Sequence, residues 1–99
     1  MSVTATAFVP CEKGDRYIKQ LVSHWRHKLN AEYEEQHALV QFGSGAVAEF
    51  NADEHGITIF LAAPDEDENI QKRGVIERHI DRFAFREAPL SYSWQEQAA

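Results

Sequence analysis

The segment from Glu77 to Trp94, ERHIDRFAFREAPLSYSW, constrains the fold of this chain more than any other. Charged residues and aromatics share a helical pattern up to Ala88 and Pro89, where it breaks. Leu90, Tyr92 and Trp94 then alternate with Ser91, Ser93 and Gln95. A period near 3.6 gives way to a period of 2, so the segment predicts a helix, a corner and a strand.

The rest of the chain divides in the same terms. Val3, Ala5, Ala7 and Val9 alternate with Thr4, Thr6 and Phe8 until Pro10, which predicts a first strand over 3–9. Asp15 reads as an N-cap, and Ile18, Leu21, Val22, Trp25 and Leu29 fall on one face of a helix over 16–28. Short strands follow over 33–36, 38–42, 46–51 and 57–62. Gly43-Ser44-Gly45 and Asp53-Glu54-His55-Gly56 supply hairpin connections, so these neighbours should be antiparallel. The stretch before His37 reads as a strand, a loop or a continuation of the next strand. Pro64 and the acidic run Asp65–Glu68 open a second helix, where carboxylates suit the positive end of the macrodipole. Val75, Ile76, His79, Ile80 and Phe83 share one arc of it, and Gly74 suggests close packing or a local break.

The order strand, helix, three or four strands, helix, strand predicts an α+β two-layer sandwich: one mainly antiparallel sheet of five or six strands, with two helices on one face. A ferredoxin-like arrangement is the alternative, since it needs fewer strands in the same order. The Glu77–Trp94 wording, with Tyr17-Ile18-Lys19-Gln20-Leu21 and Ser23-His24-Trp25, resembles the bacterial DUF2218 family from about Thr4 to Trp94. The resemblance implies a single domain over 1–99 with a TATA-binding-protein-like fold, related in arrangement to the C-terminal domain of phosphohexomutases. It implies no established reaction.

Composition bounds the function classes. Apolar residues make up 43% and charged residues 26%, which suits one soluble core and rules out a compositionally disordered chain. The apolar runs are too short for a bilayer, and Met1-Ser2-Val3-Thr4-Ala5 lacks the basic and apolar regions of a signal peptide. With one cysteine, Cys11, the expectation is a cytoplasmic protein with no membrane association. The formal charge is −6, with five Lys or Arg against ten Asp or Glu over residues 51–99. Such a balance disfavours phosphate backbones, so nucleic acid is not expected as a partner.

Three constellations could carry chemistry. His24 and His27 stand three apart, and with His79 they suggest a histidine metal site. No carboxylate-rich motif or cysteine pair accompanies them, so no metal is expected there, and His24 reads better as a core-edge residue hydrogen-bonded to a neighbour. His79 lies inside an apolar arc, which suits either a satisfied structural histidine or a ligand-contacting one. Arg78, Arg82 and Arg86 recur every four residues. They form either an anion site or a column paired internally with Glu77, Asp81 or Glu87. Phe83 and Phe85 cannot both face one side of a regular helix, so one packs elsewhere. Tyr17 and Tyr92 could add hydroxyls to a shared cleft. Cys11 lacks a nearby base, and adjacent Ser23 and His24 point in different directions, so neither makes a nucleophilic site.

The resulting expectation is a noncatalytic accessory or small-ligand-binding domain with ligand contacts at His24, His79, Arg78 and Arg82, no catalytic residues and no cofactor. The family resemblance implies a link with iron handling: a ferric siderophore or other anionic small molecule as ligand, and a siderophore-interacting flavin reductase as partner. Two alternatives stand beside it. One is a small enzyme using His79 and arginine at the helix-to-strand corner; the other is a homodimeric interaction module using exposed aromatics on the open sheet face or an edge strand.

Overall fold

The computed structural model describes residues 2–98. Its elements run β1 (Val3–Pro10), α1 (Gly14–Trp25), β2 (Asn30–Glu34), β3 (His37–Gln41), β4 (Val47–Ala52), β5 (Gly56–Ala63), α2 (Glu66–Phe83) and β6 (Gln95–Ala98). One six-stranded sheet has the order β2-β3-β4-β5-β1-β6, antiparallel throughout. The fold is therefore the predicted α+β sandwich. Its β2–β5 meander carries two strands more than a ferredoxin-like order would.

Strand alternation decides which face the helices cover. Ala5, Ala7 and Val9 of β1, Ala48 and Phe50 of β4, and Ile57, Ile59 and Leu61 of β5 are buried, whereas Thr6, Phe8, Thr58 and Phe60 between them are exposed. Helix α1 buries Ile18, Leu21, Val22 and Trp25 against this inner face, and α2 buries Ile76 and Ile80. The close approach of α1 depends on Gly14, where a Cβ would come within 2.8 Å of the Ile57 side chain. Asp65 caps α2 as a residue of its type should, its side chain accepting from the Glu68 N–H at 2.8 Å. No described helix is long and apolar enough to cross a membrane.

Several expectations require correction. Helix α1 begins at Gly14 after Lys13, which makes no side-chain cap, and it ends at Trp25 rather than 28. Asp15 instead sits in the first turn, 3.5 Å from Lys19 and accepting from the Tyr33 hydroxyl. The first meander strand is Asn30–Glu34, because Glu35 and Gln36 adopt positive φ (43° and 67°) and form the turn themselves, without glycine. Helix α2 passes through Gly74 unbroken, and a Cβ there would meet only the tip of Arg78, at 3.2 Å, so neither close packing nor a break explains this glycine.

The largest correction concerns the segment after Pro89. Leu90, Tyr92 and Trp94 do turn inward while Ser91 and Ser93 face out, yet the sheet ladder begins only at Gln95 opposite Thr6. The alternation is satisfied by α2 instead. The Leu90 N–H and the Tyr92 hydroxyl reach Asp81 at 3.3 and 2.9 Å, and the Trp94 indole N–H reaches Glu77 at 2.7 Å. Glu77 and Asp81 lie one helical turn apart, so an extended strap with side chains alternating every second residue can engage both.

Candidate functional site

Helices α1 and α2 meet along a seam, and His24 and His79 meet across it. Their ring centroids lie 5.1 Å apart, with His79 also 5.0 Å from Trp25 and His24 6.0 Å from Phe83. His79 is half-buried and donates from Nδ1 to the Val75 carbonyl at 2.7 Å, which leaves Nε2 as the acceptor nitrogen of the neutral ring. His24 is exposed overall and makes ring contacts rather than the expected side-chain hydrogen bond. Desolvation against its neighbours holds its pKa below the ordinary histidine value, and the proximity of His79 and of the Arg82 guanidinium pushes the same way. Among the described residues no group of three His, Cys, Asp or Glu has a metal-binding arrangement.

The arginine column ends differently from its sequence pattern. Helix α2 stops at Phe83, so Arg78 and Arg82 remain on the helix while Arg86 belongs to the corner. None of the three lies within salt-bridge distance of a carboxylate among the described residues. The expected internal partners are occupied elsewhere: Glu77 by Trp94, Asp81 by Tyr92 and Leu90, and Glu87 by the Tyr17 hydroxyl and the Glu12 N–H. The paired reading of the column is thus replaced by one of guanidinium groups without carboxylate partners among the described residues, of which Arg82 stands beside His24 and Arg86 lines the corner.

Sequence reasoning missed the concavity next to this cluster. A pocket of about 430 Å³ opens between the N-terminal half of α1 and the corner after α2, with Lys13, Arg16 and Gln20 on one wall and Phe83, Phe85 and Arg86 on the other. Phe83 joins it to the histidine pair, since its ring also contacts His24. Positions 13, 16, 20 and 24 recur at helical spacing, a signal that the sequence contained but that had no meaning until the corner was placed against it. Glu87 anchors that corner by accepting from α1. These donors hold its carboxyl below the usual range, while burial, and after it the same contact, pushes the Tyr17 hydroxyl up to about 12. Tyr17 and Tyr92 do not share a cleft: Tyr17 turns to Glu87, whereas Tyr92 is fixed on Asp81, where burial raises its pKa. Burial likewise pushes the Cys11 thiol up to about 11, so it stays protonated and unreactive near neutrality.

The comparisons with known proteins agree with this architecture. The chain is similar to the NMR structure of PA4090 from Pseudomonas aeruginosa, with a TM-score of 0.79 and 29% identity over 93% of this chain and 94% of that one. No curated protein matches it. A family model described as an uncharacterized protein conserved in bacteria matches residues 6–95, and the chain therefore belongs to the DUF2218 family.

Proposed function

We propose that this protein is a noncatalytic small-ligand-binding domain that takes an anionic molecule along the α1–α2 seam. The observation that carries this reading is a set of cations without carboxylate partners among the described residues: Arg82 beside His24, and Lys13, Arg16 and Arg86 at the pocket, with Arg78 one turn before Arg82 on α2, on a chain whose formal charge is −6. Free guanidinium groups favour carboxylate or similar oxyanions through paired N–H donors. His24 adds a ring nitrogen at one end of the seam, with His79 packed against it, and the pocket adds a recess at the other. A noncatalytic role is favoured over a His79-based enzyme because the ring is oriented by a backbone carbonyl, that of Val75, rather than by a carboxylate.

Ferric siderophores are the first ligands to test, with a siderophore-interacting flavin reductase as a candidate partner, and we place the protein in the cytoplasm. Calorimetry and thermal shift with a ferric hydroxamate, a ferric catecholate, haem and flavin mononucleotide should show saturable binding of at least one. Replacing Arg78 and Arg82 together by Gln should weaken it at least tenfold. Absence of binding to all four at high micromolar concentration removes the reading. Self-association is a second reading, supported by Phe8 and Phe60, which are 45% and 40% exposed on the open sheet face. Light scattering that shows only monomer at high concentration eliminates the homodimer.

A further inference from the structure

We infer that the pocket at the α1–corner junction recognises a planar aromatic acid that also carries a hydrogen-bond donor. The inference rests on the anion-binding reading and narrows it to a ligand class at one end of the seam. Three independent features of the wall specify three parts of the molecule.

The first part is the anion. Lys13, Arg16 and Arg86 line the pocket and form no salt bridge among the described residues. Two carboxylates, Glu12 and Glu87, also line it, but Glu87 is already committed to the Tyr17 hydroxyl and the Glu12 N–H. The net positive charge that remains suits a single carboxylate better than a polyphosphate, which would also meet the acid groups.

The second part is a flat ring. Phe85 is 71% exposed, the most exposed large apolar side chain of the described residues, and it stands at the pocket rather than on an isolated surface. Phe83, the last residue of α2, forms another part of the wall. Two phenylalanines two residues apart line one recess only because the helix ends between them. The Arg86 guanidinium lies 5.8 Å from the Phe85 ring centroid, so one cation–aromatic pair is already in place for a ligand ring to extend.

The third part is the donor. Gln20 lines the same pocket, and its Oε1 has no hydrogen-bond partner among the described residues; closed to solvent in the unliganded protein, it meets a ligand donor once the side-chain amide rotates toward the recess. A buried acceptor left unmatched is costly, and a ligand hydroxyl or N–H directed at it removes that cost. A recess of about 430 Å³ falls within the size of small-molecule sites and accommodates one substituted ring.

The test is a heteronuclear NMR titration of the intact protein with 4-hydroxybenzoate, benzoate, benzamide and cyclohexanecarboxylate. 4-Hydroxybenzoate should bind tightest and shift the amides of Gln20, Phe83, Phe85 and Arg86. Benzoate, without the donor, should bind about threefold to tenfold more weakly. Benzamide lacks the charge and cyclohexanecarboxylate the flat ring, and each should lose tenfold or more. Phe85→Ala and Arg16→Gln alter exposed residues and should each weaken 4-hydroxybenzoate at least fivefold in a folded protein. Equal affinity for the ring and its saturated analogue overturns the inference, as does a shift confined to His24 and His79. Failure of all four acids and amides to bind overturns it too. The broader anion reading is judged separately by its own titration with ferric siderophores, haem and flavin.

Discussion

At pH 7 the His24 imidazole is neutral, because desolvation and the proximity of His79 and Arg82 hold its pKa below the ordinary value near 6.5. A folded-state pKa below the unfolded one contributes stability that is present above the unfolded value and lost as pH falls through the folded one. An anion placed on the seam reverses that preference by stabilising the imidazolium. Ligand affinity should therefore rise as pH falls below the ordinary histidine value, whereas the stability of the unliganded protein falls in the same direction. Calorimetry across that range checks the first effect, and a His24→Gln variant should flatten it. Glu87 has the same sign, in the carboxylate range of pH. Its depressed pKa contributes stability that is present above the unfolded carboxylate value and disappears as pH falls through the folded value. Glu87→Gln should cost about 1–2 kcal/mol in urea denaturation, through its weakened bonds to Tyr17 and the Glu12 N–H.

Helix α2 shows what an element's sequence does and does not reveal. Its start was legible because a capping Asp before an acidic turn has one physical use, and Asp65 caps Glu68 as expected. Its end was not, because the helical pattern of the arginines runs on to Arg86 while the backbone stops at Phe83. The strap after Pro89 kept its alternation but transferred it from a strand to the flank of α2, since Glu77 and Asp81 offer acceptors for Trp94, Tyr92 and Leu90. Gly74 gives the clearest prediction at this scale. It occupies an unbroken helix, and a methyl group there would displace only the flexible end of Arg78. Gly74→Ala should stabilise the protein by about 0.5–1 kcal/mol, read as a higher urea midpoint with an unchanged slope.

In the whole molecule, Asn69 fastens the helical layer to the sheet. It is fully buried, and its amide donates to the carbonyls of Val3 and Leu61 at 2.9 and 3.2 Å while its oxygen accepts from Arg73, which in turn pairs with Glu96 of β6. Asn69→Ala would leave these groups without partners and should cost about 2–4 kcal/mol, measured by chemical denaturation. Charge is also distributed at this scale. The chain is acidic overall, yet Lys13, Arg16 and Arg86 at the pocket form no salt bridge among the described residues. Small anions should therefore bind with an affinity that declines as salt rises. A duplex DNA should give no mobility shift at about 150 mM salt, because a long polyanion meets the acidic remainder of the surface.

The sequence by itself determined the α+β class, the antiparallel meander and the buried face of each main element, because alternation and helical periodicity are local consequences of side-chain chemistry. Tertiary structure decided where those elements stop and which polar groups are already satisfied. Trp94 and Tyr92 take Glu77 and Asp81, the carboxylates that the helical spacing offered to Arg78 and Arg82, and Glu87 holds the corner against Tyr17 of α1 where the pocket opens. Partners distant in sequence compete for the same carboxylates, and that competition is resolved by packing rather than by any local pattern.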